Sequence, residues 1–242
     1  MVVPLEGRTI LITGAARRIG RWMALACARA GADVILHHGH SPAEAEALAQ
    51  EIAAAGRRAW ILQADLSDER QVLALAERLK DFEGLYALVN NAAIFEPLSF
   101  LETTLEDWHR HLTIILTAPF LLSQAFACHL GRREGRIVNI LDWRALRPGA
   151  DHFPYTVAKA ALAAMTRALA QSLAPHILVN GIAFGAILPP ADNAPMKGVL
   201  AQTPISRLAD PQEVAETLLF LLSGPAYITG EILHLDGGRH LT

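Results

Sequence analysis

The 242-residue chain contains no uninterrupted apolar run near the ~20 residues that span a bilayer, although hydrophobic residues make up 52% of it and charged residues 19%. A membrane protein is therefore not expected. Charge of one sign is also scarce: the formal net charge is -3 and no basic block occurs, so the electrostatic footprint of nucleic-acid binding is missing. A small molecule is the better-matched partner. The two cysteines, Cys27 and Cys128, lie far apart in apolar helical stretches, and no Cys/His cluster has zinc spacing. Buried free thiols are expected, and no metal. The opening Met-Val-Val-Pro-Leu-Glu-Gly lacks the basic, apolar and small-residue zones of a signal peptide, so a cytoplasmic protein is expected. No internal boundary divides the chain, and residues 1–242 are expected to form one domain.

What is present is an alternation. Short apolar runs at 8–13, 33–37, 58–64, 85–89, 135–141, 177–183 and 231–235 read as strands, separated by helical patterns at 19–30, 42–55, 68–80 (after a Ser67 cap), 105–130 and 154–173. Repeated β-α units of this kind predict an α/β fold: a doubly wound parallel sheet of about seven strands with helices on both faces. Ligands of such sheets bind at the C-terminal strand ends, so the residues there carry the argument. The 105–130 pattern is apolar around much of its circumference and is expected to be buried on several sides, by the chain's own loops or by a second subunit.

The first strand ends in Thr-Gly-Ala-Ala-Arg-Arg-Ile-Gly, with Gly14 and Gly20 flanking Arg17, Arg18 and Ile19. Glycines let a backbone approach pyrophosphate closely, and the following helix N-terminus offers unpaired N–H groups. A plain strand-to-helix turn has the same look, and Arg18 stands where a middle glycine is common. The second strand runs into His37, His38, Gly39, His40, Ser41 and Pro42, with no carboxylate there to accept bonds from ribose hydroxyls. Ser at N-cap and Pro at N1 would aim free N–H groups at an anion, which with Arg17 or Arg18 suits the 2′-phosphate of NADP; a solvated histidine loop is the other reading. Asp65 and Leu66, at the third strand's end, could meet the adenine through the backbone, or Asp65 could cap the next helix. Asn90, Asn91, Ala92 and Ala93 follow the fourth strand, where small residues would let a cofactor lie close and the amides could equally hold the turn. The stretch 186–210, rich in Pro and Ala at its start, has no sustained period and reads as a lid or as a passive loop.

The chemistry concentrates between Asp142 and Lys159. Tyr155 and Lys159 stand four residues apart and leave one face of one helix. A cation ~4 Å from a phenol favours the phenolate by roughly 4 kcal/mol at an effective dielectric near 20, which, before desolvation opposes it, would bring a pKa of about 10 down toward neutrality. An exposed Tyr and Lys on an amphipathic helix share this spacing, and Tyr-x-x-x-Lys alone decides nothing. Asp142 stands at the end of the fifth strand, where it can join them.

Thr-Gly-x-x-x-x-x-Gly, Asn-Asn-Ala, Tyr-x-x-x-Lys and Asp236-Gly237-Gly238, in this order and spacing, resemble the short-chain dehydrogenase/reductase family across essentially the whole chain. The resemblance implies a Rossmann-type domain, a nicotinamide cofactor, Tyr155 as proton donor or acceptor, and Lys159 on the nicotinamide ribose lowering the Tyr pKa. It also implies a homotetramer built on the helices 105–130 and 154–173. Most members carry Ser thirteen residues before the catalytic Tyr, and here that residue is Asp142. In this the chain resembles the pteridine reductases and the similar bacterial dihydromonapterin reductases, where Asp and Tyr act together on a pterin. Arg18 then matches an Arg that reaches cofactor phosphate and pterin, His37 and Ser41 fall on the NADPH 2′-phosphate segment, and Phe95 matches an aromatic that stacks on the pterin. Three positions depart: Ile115 replaces a proton-relay Asn, Ala93 replaces a Ser, and Phe184-Gly185 replaces Pro-Gly. The expectation is an NADPH-dependent pterin reductase with Asp142, Tyr155 and Lys159 at the reacting atoms. A carbonyl reductase of the same fold and a non-catalytic NADP-sensing protein are the alternatives.

Overall fold

The structure, a computed structural model, describes residues 5–189 and 197–242. Seven parallel strands form one sheet in the order β3-β2-β1-β4-β5-β6-β7. They are β1 (Thr9–Ile12), β2 (Asp33–His38), β3 (Ala59–Gln63), β4 (Leu85–Asn90), β5 (Gly135–Asp142), β6 (Ile177–Phe184) and β7 (Ile232–Leu235). Every residue of β1, β2, β4 and β6 is buried, because helices cover both faces; this is why these strands read as continuous apolar runs. The order reverses between β1 and β4, so the crevice at their C-terminal ends is the switch point where such sheets take ligands.

One layer holds α1 (Arg18–Arg29), α2 (Pro42–Ala54) and α8 (Pro211–Ser223); the other holds α3 (Glu69–Glu77), α4 (Leu105–Leu112), α5 (Ala118–Leu130) and α6 (Phe153–Leu173). The sequence reading missed α8, whose start carries a capping box: Asp210 accepts from the Gln212 N–H, and Glu213 accepts from the Asp210 N–H at 2.7 Å. It also placed the α3 cap one residue early. Asp68, not Ser67, accepts the first-turn N–H of Arg70, and the helix tightens into a 3₁₀ turn over Arg78–Asp81.

The expected long helix at 105–130 is continuous but not uniform. A π turn over Thr113–Thr117 joins α4 to α5 and buries Ile115 completely. By length and composition alone this stretch could cross a membrane, with a mean hydropathy of 1.5 in its most apolar window. Here it lies in a layer against α3 and α6, and the expectation of burial on several sides is only partly met, since 39% of that window is buried and Phe120 is 43% exposed. The thiols differ likewise: Cys27 is buried and its pKa pushed up to about 12 by burial, whereas Cys128 is exposed. Of the segment 186–210, residues 190–196 lie outside the described residues; its remainder includes the short helix α7 (Lys197–Ala201).

Candidate active site

The turn after β1 is bound to the end of β4. Thr13 Oγ1 accepts the N–H groups of Asn91 and Ala92 at 2.9 and 3.0 Å, and Asn91 Nδ2 donates to the carbonyls of Thr13 and Gly14 at 2.8 and 3.2 Å. The amides therefore hold the turn. Small residues are required here: Gly14 has φ +63°, and a Cβ at Gly20 would stand 2.1 Å from the Gly14 carbonyl oxygen. Asn90 turns inward instead, donating to Asn139 at 2.8 Å.

The start of α1 has no capping side chain, because Arg17 at N-cap makes no side-chain bond to the helix. Its first-turn N–H groups therefore have no side-chain acceptor, as a helix start that takes an anion requires. Arg18 takes a left-handed backbone, φ 53°, and its guanidinium donates to the Pro189 carbonyl at 3.0 Å. Arg17 pairs with Glu44 at 3.7 Å, on the first turn of α2. Ile19 packs partly buried against the core. Ser41 stands at the α2 N-cap with Pro42 at N1, as expected, but its hydroxyl makes no cap bond, so this helix start also retains unpaired N–H groups.

His37 is placed differently from the sequence expectation. Its ring is buried between the turn and β3: Nδ1 accepts the Gly14 N–H at 3.2 Å, and Nε2 lies 3.0 Å from the Ala64 carbonyl. Those two bonds fix the neutral tautomer with its proton on Nε2. Burial pushes the pKa down to about 4. The ring holds the glycine turn and has no nitrogen left for a phosphate. His38 Nδ1 accepts the Ser41 N–H at 3.3 Å. Asp65 binds the Ser67 N–H and hydroxyl at 2.9 and 2.7 Å, which holds its carboxyl below the usual range, and it does not cap the next helix, whose cap is Asp68; Leu66 beside it is buried. The crevice thus offers two helix starts with free N–H groups, an Arg pair and a glycine-lined floor, a donor set that fits a phosphorylated dinucleotide.

At the far side, β5 ends in Asp142 and α6 begins at Phe153, with Pro154 on its first turn. Tyr155 donates its phenolic hydrogen to Asp142 Oδ2 at 3.1 Å, and Lys159 Nζ donates to the Ile140 carbonyl at 2.5 Å. Tyr155 and Lys159 are buried, and the Asp142 side chain keeps 14% exposure. Burial raises the Asp142 pKa, opposed by the Arg144 backbone N–H, the Arg144 and Lys159 charges and the Tyr155 bond. Burial and then the Asp142 charge push the Tyr155 phenol well above its usual pKa, while burial lowers Lys159 to about 8. This corrects the sequence argument that Lys159 brings the phenol toward neutrality. The charge nearest the phenol is the Asp142 carboxylate, and the Lys159 ammonium, 5.7 Å from the ring centroid, is itself weakened by burial. Without cofactor, the proton rests on Tyr155.

Phe95 stands over this pair, 52% exposed, edge-on to Tyr155 with centroids 4.7 Å apart. Its face stacks on His152, centroids 3.8 Å apart and planes within 8°. Three residues here were not singled out in the sequence: Arg144, Asp151 and His152. Arg144 lies 3.6 Å from Asp142 and 2.9 Å from Asp151, and Asp151 is 3.1 Å from His152 Nδ1. Their signal was two acid–base neighbours, Asp-Trp-Arg and Asp-His, inside the segment between Asp142 and Tyr155.

A family model described as Enoyl-(Acyl carrier protein) reductase matches residues 14–240. The 3-oxoacyl-[acyl-carrier-protein] reductase FabG of Aquifex aeolicus is 37% identical over 98% of this chain and 99% of that protein. A 3-oxoacyl-[acyl-carrier-protein] reductase of Synechocystis sp. is 35% identical, covering 97% of each. Among solved structures, FolM Alternative dihydrofolate reductase 1 from Brucella canis, complexed with NADP, is 35% identical with a TM-score of 0.90, covering 99% of this chain and 96% of that one. A short chain dehydrogenase from Burkholderia cenocepacia in complex with NADP is 36% identical with a TM-score of 0.92, covering 98% and 99%. The cofactor expected from the sequence is the one these structures hold. Matched by the family model over nearly its whole length and by full-length relatives above 30% identity, the chain belongs to the short-chain dehydrogenase/reductase family.

Proposed function

We propose that this chain is an NADPH-dependent reductase of pterins, acting on a dihydrobiopterin-, dihydromonapterin- or dihydrofolate-like ring C=N. The observation that carries the reading is the Tyr155 hydrogen bond to Asp142: the proton source of the site is a phenol–carboxylate pair. NADP(H) is the cofactor, and when bound it supplies the hydride. Gly14, Arg17, Arg18, Ile19, Gly20, Ser41, Leu66, Asn91 and Ala92 line its crevice, with His37, His38 and Asp65 holding the backbone around it. A ring nitrogen must gain a proton as its neighbouring carbon is reduced, and Tyr155 holds that proton beside an acceptor that can follow it. Phe95 gives a flat heteroaromatic a stacking surface, and Arg18 provides a cation at the lid side. A brucella FolM described as an alternative dihydrofolate reductase, similar over nearly the full chain, supports the same class.

In this reading residues 1–242 form one NADP-binding domain with 186–210 as its substrate lid segment, of which 190–196 lie outside the described residues, and four copies assemble in the cytoplasm on the helices 105–130 and 154–173. A second reading has its own support. The relatives from Aquifex and Synechocystis are 3-oxoacyl-[acyl-carrier-protein] reductases, so a ketone of an acyl thioester is the competing substrate. NADPH consumption with dihydrobiopterin and dihydromonapterin, run beside an acetoacetyl thioester, separates them. Turnover confined to the pterins upholds the proposal; turnover confined to the thioester replaces it.

A further inference from the structure

A buried carboxylate beside a phenol needs a compensating charge, or it takes up a proton and ceases to accept one. Lys159 is a weak candidate here, because its ammonium is turned to the Ile140 carbonyl. Arg144 is better placed. Its backbone N–H donates to Asp142 Oδ1 at 2.8 Å, and its Nη1 lies 3.6 Å from the same oxygen, leaving Oδ2 for Tyr155. The guanidinium cannot swing freely: it sits 4.8 Å from the Trp143 ring centroid and 5.6 Å from that of Phe95, with 18% of the side chain exposed. Its outer edge is held by Asp151, at 2.9 Å from Nη2.

We propose that Arg144 is the positioning residue of the Asp142–Tyr155 pair: it keeps Asp142 the ionised acceptor of the phenol, and Asp151, by sharing the same guanidinium, limits how strongly it does so. The proposal rests on the reading of Asp142 and Tyr155 as the proton-handling pair. The charged and titratable groups facing Asp142 are Arg144, Asp151 and His152 from the β5–α6 connection and Tyr155 and Lys159 from α6. Of these, Arg144 alone is a permanent cation within 4 Å of the carboxylate. Its fork also links the reacting pair to the aromatic wall, since Asp151 holds both Arg144 and the imidazole stacked on Phe95.

The test reads Asp142 directly. The protonated-carboxyl infrared band present in the NADPH-bound protein and missing from its Asp142→Asn variant is followed against pH in Arg144→Gln, Arg144→Lys and Asp151→Asn. An opposite charge at this distance shifts a carboxylate by about 1–3 pH units, so Arg144→Gln is expected to move the midpoint up by at least about one unit, a tenfold gain in proton affinity. Arg144→Lys, which keeps the charge, leaves the midpoint close to the parent's. Asp151→Asn removes a repelling charge and the competitor for the guanidinium, and moves the midpoint down. Its side chain is 53% exposed, so this variant keeps the fold even where Arg144→Gln does not. An unmoved midpoint in Arg144→Gln, or an upward or absent shift in Asp151→Asn, overturns the proposal. The band needs no substrate, so failure of pterin turnover leaves this result standing, and the converse also holds.

Discussion

Tyr155 and Asp142 share one hydrogen at 3.1 Å, with the phenol as donor and the carboxylate as acceptor. A family built mainly on Ser at this position uses a neutral hydroxyl to polarise a ketone, and a carboxylate reverses that polarity. It repels negative charge developing on oxygen but accepts a hydrogen bond from an N–H as readily as from a phenol. Under the proposed function the pair therefore serves a substrate in which a ring nitrogen takes up the proton. Tyr155→Phe removes the transferable proton while leaving the ring against Phe95. Turnover should fall by at least about 10²-fold, the usual worth of a placed acid, with NADPH affinity by fluorescence within a few-fold of the parent. A Phe variant of full activity would assign the acid elsewhere.

Lys159 carries a stability signature. Its folded pKa of about 8 lies below the ordinary 10.5, so below pH 8 the folded protein bears the full cost of a buried ammonium. Between those values the unfolded chain binds more protons than the folded one, and stability rises with pH, by up to roughly 3 kcal/mol for a shift of this size. Lys159→Met should lose that rise. Its melting temperature, compared with the parent's at steps across the window and without cofactor, should converge on the parent's as pH climbs; parallel curves would mean that burial does not lower the Lys159 pKa. The Met variant also leaves the Ile140 carbonyl without its donor, which offsets part of its advantage below pH 8.

Much of this was legible from the chain alone, for identifiable reasons. Strands buried on both faces read as continuous apolar runs, and a helix run on from Tyr155 fixes Lys159 on the same face one turn later. Asp142 was visible because it ends such a strand. Continuous burial also hides direction: all six residues of β2 are buried, so no alternation told that the His37 ring turns back under the glycine turn. Arg144 and Asp151 were hidden for another reason, since they meet across an irregular connection in which sequence spacing carries no periodicity. Spacing alone gives the wrong sign for the Tyr155 shift, because it sets a cation against the phenol while burial outweighs that cation and the nearer anion, Asp142, is brought in only by the fold.

His37 should make the glycine turn acid-sensitive. With a folded pKa of about 4 against 6.5, its contribution is complete above pH 6.5 and is lost as pH falls toward 4, because the unfolded chain takes up a proton that the buried ring refuses. The shift corresponds to roughly 3 kcal/mol. His37→Asn keeps an acceptor near the Gly14 N–H and does not titrate. Its unfolding midpoint in urea should be lower than the parent's at neutral pH and approach it as pH falls through this window; a gap that stays constant would show that the ring is not neutral in the fold.

Asp142→Ser is the most discriminating exchange, because it installs the group that most of the family uses. The side chain loses a carbon and an oxygen together with its charge, so the Tyr155 phenol loses its carboxylate acceptor and the repulsion that raises its pKa. For a ring-nitrogen substrate the lost carboxylate acts against turnover: the group that accepts an N–H is gone, and one bond to a charged group is worth about 1.5–3 kcal/mol, a factor of roughly 10–150 in kcat/KM. For a ketone the same change helps, since a hydroxyl donates to the carbonyl oxygen and the repelling anion is removed. The ratio of kcat/KM for dihydropterin over acetoacetyl thioester should therefore fall by more than the loss on the pterin alone. If both substrates lose equally, Asp142 is doing no more than supporting the fold at the end of β5, and the case for a pterin falls with it.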